Sequence, residues 1–160
     1  GAPTKTFNMA GIVSSYAIVP DDALRNTFYG WLNANELNWP NMFATIATQA
    51  AFLHGEEWRK EMLSYIEENI RFVENFCHEY IPQIFPVRPQ ASYLVWLDCR
   101  NLDLEQDKLV SLFVDQAGLA LNDGSIFGQE GNGFMRLNVG CPLSVLRQAF
   151  EQLRQAVDKR

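Results

Sequence analysis

Between Glu56 and Tyr80, apolar side chains return at three- and four-residue steps: Trp58, Met62, Ile66, Ile70, Val73, Cys77 and Tyr80. Glu, Arg, Lys and Asn fill the positions between them. That period places the apolar residues on one stripe, so the spacing predicts a long amphipathic helix whose aromatic and Met residues are core. Ahead of it, the Ala- and Thr-rich segment that follows Pro40 and runs up to Leu53 is nearly uncharged on every face, and Gly55 interrupts it. Such a segment predicts a helix buried on all sides or packed on a partner subunit. Further upstream, Ser14–Val19 is β-branched and apolar and is stopped by Pro20, which predicts a buried strand. Asp21 and Asp22 then offer an N-cap and an acidic first turn for a short helix through Leu24, Phe28 and Leu32. The stretch 33–40 is rich in loop formers.

Downstream, Pro82, Pro86 and Pro89 break the chain and mark the entry to a small C-terminal domain. Residues 91–97 read as a strand. Asp103 with Gln106 resembles a capping box opening a helix that Gly118 closes, and 119–122 reads as a short strand. The segment 122–133 is a long loop with four glycines. It lacks a Lys-[Ser/Thr] ending and a following helix, so it is not read as a phosphate loop. Residues 134–139 form the last expected strand, and Pro142 starts a helix that turns Leu146, Phe150, Leu153 and Val157 inward. Three short strands and two covering helices predict an α/β (α+β) sandwich with a small, largely antiparallel sheet.

Composition narrows the function. A chain of 160 residues with 48% hydrophobic content can bury a sizeable core. Thirteen basic against nineteen acidic residues, alternating in sign, give a net charge of −6, which argues against a nucleic-acid surface. No apolar run reaches transmembrane length and no signal peptide is recognised, so no membrane partner is expected. Cys77, Cys99 and Cys141 are odd in number, far apart and without metal-ligand spacing. They predict reduced, mostly buried thiols in a cytoplasmic protein and no metal site. His54 and His78 read as structural.

Two positions carry candidate chemistry. Lys5 has a hydroxyl neighbour on each side, Thr4 and Thr6. An amine in that setting can form a Schiff base with an aldehyde while the hydroxyls reach a phosphate, or it can be an ordinary solvated Lys. Arg136 stands in an apolar strand between Met135 and Leu137, and alternation turns it away from their face. Its guanidinium either joins a structural ion pair or receives a carboxylate in a two-pronged grip that Lys cannot reproduce.

The segment Thr4-Lys5-Thr6-Phe7-Asn8-Met9-Ala10-Gly11 resembles that around the cofactor-binding Lys of class I/II (fold type I) aminotransferase-like enzymes, which use pyridoxal phosphate. It looks closest to the cystathionine β-lyase-like (carbon–sulfur lyase) branch, whose pattern reads Ser-Lys-[Ser/Thr]-[Phe/Trp]-Asn. Ser92–Asp98 and Gly133–Pro142 match two further family blocks in the same order. The resemblance implies that residues 1–53 close the large cofactor domain, 54–81 form a long connecting helix and 82–160 form the small domain. The chain, which lacks an initiator Met, then reads as a C-terminal fragment that is silent by itself.

In the parent enzyme, the resemblance implies a homodimer, with Lys5 holding the cofactor and removing the substrate α-proton. It gives Thr4 the cofactor phosphate and Arg136 the α-carboxylate of cystathionine or a cysteine S-conjugate. Tyr93 and Asn38 are secondary substrate-side candidates, with core and turn as their ordinary readings. Thr4 stands where the family usually has Ser, and Ala2 where many relatives carry a hydroxyl. Val13 stands where classical aminotransferases place an Arg, which favours a lyase over the alternative, an aminotransferase. A non-catalytic binding or dimerisation module is the third reading.

Overall fold

Buried and half-exposed residues alternate along Leu94–Asp98 and Phe134–Asn138, as in strands with one face turned inward. A computed structural model describes residues 1–39 and 41–160 and shows these strands at the centre of a four-stranded antiparallel sheet. Its order is β1 (Phe85–Val87), β2 (Leu94–Asp98), β4 (Phe134–Asn138), β3 (Asn122–Asp123). The described residues divide into two units, Gly1–Leu63 and Ser64–Arg160, and the sheet belongs to the second.

In the β2–β4 register Val95 faces Leu137 and Leu97 faces Met135, all four buried. They share the core with Ile70, Val73 and Cys77 of α4 (Glu56–Tyr80) and with Leu146, Phe150 and Leu153 of α6 (Leu143–Asp158). The Phe150 ring meets Phe76 edge-on at 5.5 Å and Phe72 at 5.9 Å, fixing the two helices against each other. The stripe expected over 56–80 is a helix with those bounds, but Trp58 and Tyr80 at its ends are 44% and 42% exposed. Asn69, between Ile66 and Val73 on the buried side, is fully enclosed. Its Nδ2 donates to the carbonyls of Val139 (2.8 Å) and Cys141 (2.9 Å) and ties α4 to the end of β4. Pro142 precedes α6 as its cap residue instead of occupying its first turn, and Ala156 is buried where Val157 is only half-buried.

Four strands form where three were expected. β1 was hidden by its prolines; Pro86 pairs with Leu97 at the sheet edge, where a missing N–H costs no ladder bond. β2 starts at Leu94, later than the expected 91, because Ser92 takes a left-handed φ of 72°. β3 is two residues long. The capping box is corrected. Asp103 has a φ of 52° and ends a preceding turn, and α5 (Gln106–Ser111) begins after Glu105 without a side-chain cap. Gln106 serves the glycine loop instead. Its Nε2 donates to Asp123 Oδ1 and its Oε1 accepts the Gly133 N–H at 2.7 Å. α5 widens into a π-helical turn over Leu112–Gln116 before Gly118, at φ 68°, ends the helix. The glycine loop folds back on itself so closely that a Cβ on Gly131 would stand 2.0 Å from the Gly124 carbonyl oxygen.

The first unit is helical: α1 (Pro3–Thr6), α2 (Asp22–Ala34), α3 (Met42–His54) and the start of α4. Asp21 caps α2, its Oδ1 accepting the Leu24 N–H at 2.7 Å, as the acidic pair predicts. One expectation fails here, and another is met in part. Ser14–Val19 is mostly exposed and is no strand. Its ladder-like pairing among the described residues is one reciprocal contact, in which Gly1 N donates to Tyr16 O and Tyr16 N donates to Gly1 O. Side chains take other carbonyls, Tyr29 Oη donating to Ala17 O and Arg25 Nη1 to Val19 O. A β-branched run without a partner strand cannot form a sheet. The segment expected to be buried on all sides or packed on a partner subunit is a helix, and within this chain only Ala44 of α3 is buried, so the first of those alternatives is not met. Pro40, read as the end of the loop-rich stretch before that segment, lies outside the described residues.

Candidate functional site

Lys5 sits on α1, a single turn started by buried Pro3, whose fixed φ suits a first helical position. The turn is closed by Phe7 N–H donating to Pro3 O at 3.0 Å, and Met9 N–H donates to Thr4 O at 2.8 Å. Phe7 anchors the segment by its edge-on contact with Phe52 at 5.4 Å and by lying where a Cβ on Gly55 would be, 2.8 Å from its ring. The Lys5 side chain is exposed and Thr4 half-buried. Beyond this turn the chain reverses through Val13, a β-branched residue at φ 46°.

Arg136 lies on the sheet face opposite Met135 and Leu137, as alternation predicts. Its cross-strand neighbours are Trp96 on β2 and Asn122 on β3. Nη2 donates to Asn122 Oδ1 at 2.9 Å, and the guanidinium carbon stands 4.4 Å from the Phe127 ring centroid. Trp96 meets Phe127 and Phe134 edge-on at 5.4 and 6.1 Å, extending the aromatic surface. Among the described residues Arg136 has no carboxylate partner, and its Nε is buried without an acceptor. Arg100, over the Phe134 ring at 5.0 Å, differs. It grips Asp98 through Nε at 2.9 Å and Nη2 at 2.7 Å, and these bonds hold the Asp98 carboxyl below its ordinary range. One arginine of this face is neutralised within the chain, and the other has no carboxylate partner among the described residues.

Tyr93 precedes β2 and is half-buried. Its ring packs by Gly140, 3.5 Å from where a Cβ would stand, and its backbone accepts from Val139 N at 2.9 Å. It does not join the Arg136 cluster. Asn38 is exposed in the first unit, donates to Asn33 Oδ1 at 3.1 Å, and lines an open groove of about 550 Å³ with Ser14, Thr45 and Thr48. Lys5, Thr4 and Asn38 therefore belong to Gly1–Leu63, and Arg136 and Tyr93 to Ser64–Arg160. Asn122, Phe127 and Trp96 escaped the sequence reading. Alternation along 94–98 could have turned Trp96 outward, but nothing local pairs it with Arg136.

The chain is 37% identical over 156 residues to cystathionine β-lyase PatB of Bacillus subtilis, covering 98% of this chain and 40% of that protein. It is 30% identical over 155 residues to protein MalY of Escherichia coli, covering 96% and 40%. Among solved structures, cystalysin from Treponema denticola, which contains pyridoxal 5'-phosphate, matches with a TM-score of 0.95 at 28% identity over 99% of this chain and 40% of its own. A pyridoxal-phosphate-bound protein of Clostridium difficile, described as an aminotransferase, matches with a TM-score of 0.93 at 36% identity, covering 98% and 40%. No protein-family model matches. The chain belongs to the fold type I pyridoxal-phosphate-dependent aminotransferase family, in its cystathionine β-lyase branch.

Its α/β architecture with an antiparallel sheet matches the C-terminal part of fold type I enzymes, as the sequence predicts. The chain spans about 40% of the length of the curated relatives it matches. The donor set around Lys5 suits this family's cofactor: a primary amine for an aldehyde, with hydroxyls of Thr4 and Thr6 beside it for a phosphate. No helix among the described residues is long and apolar enough to cross a membrane, and no group of His, Cys, Asp and Glu among them could hold a metal ion.

Proposed function

We propose that this chain carries the cofactor lysine and the carboxylate-binding arginine of a carbon–sulfur β-lyase acting on cystathionine or a cysteine S-conjugate. Residues 1–53 would close the large cofactor domain, 54–81 connect, and 82–160 form the small domain. The observation that carries the reading is the Arg136 guanidinium, held on an aromatic face with a buried, unpaired Nε and no acidic partner among the described residues. The similarity to PatB and cystalysin supports it.

Bound pyridoxal phosphate supplies an electron sink for the negative charge left on the substrate Cα. Lys5 would hold the cofactor through its Nζ, and its amine would take the Cα proton as general base. Thr4 would hold the cofactor phosphate through its hydroxyl. Arg136 grips the α-carboxylate and orients the substrate, leaving the β-carbon–sulfur bond free to break. Loss of the thiolate and addition of water give thiol, pyruvate and ammonia. Tyr93 and Asn38 remain secondary substrate-side residues.

The working enzyme on this reading is a cytoplasmic homodimer, where three unpaired thiols stay reduced, and the 160-residue chain alone is silent. Equimolar release of thiol and pyruvate from cystathionine by the enzyme carrying this segment is the expected result. Transfer of the amino group to an oxo acid with no thiol released would replace the reading with an aminotransferase, which the Clostridium difficile protein keeps in view.

A further inference from the structure

Arg136 has three donor nitrogens, and what surrounds them is specific. Asn122, its cross-strand neighbour on β3, takes one N–H of Nη2 through a neutral amide oxygen at 2.9 Å. Phe127, on the glycine loop, covers one face of the guanidinium at 4.4 Å. The Phe127 ring also meets Trp96 in a T-shaped contact with centroids 5.4 Å apart. The loop that carries it is pinned at both ends. Gln106 donates to Asp123 Oδ1 and accepts from Gly133 N, Asp123 Oδ1 accepts the Ser125 N–H at 2.8 Å, and the Gly124 and Gly131 backbones pack in direct contact. An arginine on a strand has several rotatable bonds, and an unheld fork would lose much of its grip to rotamer entropy.

We propose that Asn122 and Phe127 are positioning residues that lock the Arg136 guanidinium in one plane and one rotation, so that its free N–H groups meet a substrate carboxylate already aligned. This rests on the carboxylate role of Arg136 given above. The neutrality of Asn122 matters as much as its place. An amide oxygen orients the fork and leaves its charge uncompensated, whereas a carboxylate there would fill the seat. Arg100 shows the outcome on the same sheet face, closed off by Asp98. Phe127 holds the plane through the ring quadrupole and takes no N–H from the fork.

The test uses the cofactor-loaded enzyme that contains this segment, with L-alanine as a non-eliminating carboxylate probe read by the cofactor's absorbance shift, and with cystathionine KM and kcat alongside. Asn122→Asp is the decisive variant. It is expected to weaken L-alanine binding at least about tenfold and raise KM while kcat changes little, because an ion pair with Arg136 competes with the substrate. A merely structural Asn122 predicts that Asn122→Ala, which adds no competing charge, lowers the urea midpoint and leaves L-alanine binding unchanged. Phe127→Leu is expected to weaken binding about fivefold and Phe127→Tyr to restore it. Urea midpoints within the error of the parent for Asn122→Asp and Phe127→Tyr exclude misfolding as the cause. If Arg136→Lys weakens L-alanine but Asn122→Asp and Phe127→Leu do not, the positioning role is overturned and the carboxylate seat stands. If Arg136→Lys has no effect either, the carboxylate reading itself falls.

Discussion

Arg136 and Phe127 come together across a strand and a loop, the guanidinium carbon 4.4 Å from the ring centroid, and no acidic residue among the described ones neutralises the pair. A half-buried guanidinium without a counter-ion is costly to keep unless a ligand supplies the charge. Arg136→Ala in the enzyme carrying this segment is therefore expected to lower kcat/KM for cystathionine about 100-fold, mostly through KM. Arg136→Lys should recover little, because an ammonium cannot make two parallel bonds in one plane. Steady-state kinetics on the two variants decide it. A Lys variant with near-parent KM would show that charge alone suffices.

How much of this seat was legible beforehand depends on whether the partners are local. Alternation around Met135-Arg136-Leu137 was enough to turn Arg136 from the core, because the period of a strand is a local property. Asn122 and Phe127 lie in a segment that reads as a glycine-rich loop, and only the register of β3 on β4 brings Asn122 beside Arg136. Composition does not encode that register. The same limit explains Ser14–Val19. Its residues favour a strand, but a strand exists only with a neighbour, and among the described residues the first unit offers Tyr16 a single pairing with Gly1. α4 was legible to the residue because its period is sustained over 25 positions. Gln106 was misplaced for the opposite reason: its spacing from Asp103 imitates a cap, while its side chain is committed to Asp123 and Gly133.

Lys5 shares the chain with Lys60, Lys108 and Lys159, which gives the cofactor assignment an internal control. Borohydride reduction in the presence of pyridoxal phosphate, followed by peptide mass spectrometry, is expected to mark Lys5 in the enzyme containing the whole family domain. Lys5→Ala should abolish that product and leave background labelling unchanged. In the 160-residue chain alone, labelling concentrated on Lys5 would mean that its local surroundings suffice to direct the aldehyde. Spread over all four lysines, it would mean that the directing groups lie elsewhere in the enzyme.

The three thiols should separate by burial. Cys77 and Cys99 are enclosed in the core, and desolvation pushes the Cys77 thiol up to about 12 and that of Cys99 higher still. Cys141 is half-buried and shifted upward by the same cause. The thiolate is the reacting form, so at pH 8 an aromatic disulfide reagent is expected to modify at most Cys141 in the folded chain. All three should react in urea. Because burial raises these values in the fold, raising the pH toward 12 favours the unfolded state, whose thiols ionise first; stability is retained below the ordinary thiol range. Rapid modification of Cys77 at pH 8 without loss of helical signal would show that α4 is not packed as described.

Asn69 offers the sharpest test of what holds the second unit together. It is fully enclosed on α4, and its amide supplies both bonds that satisfy the carbonyls of Val139 and Cys141 where the chain leaves β4 for α6. Its Oδ1 is buried without a partner among the described residues, so the amide already bears one unmet group for the sake of two met ones. Asn69→Leu would keep roughly the volume and add apolar surface, and a purely hydrophobic account of α4 predicts a gain. The hydrogen-bond account predicts a loss of about 2–4 kcal/mol, because one buried and one part-buried carbonyl are stranded at once. Urea unfolding followed by far-ultraviolet circular dichroism measures the sign directly. Asn69→Asp should be destabilising as well, since a carboxylate facing two carbonyl oxygens must take up a proton to donate to either. Its deficit should shrink as the pH falls through the raised carboxyl value, a recovery that the Leu variant cannot show.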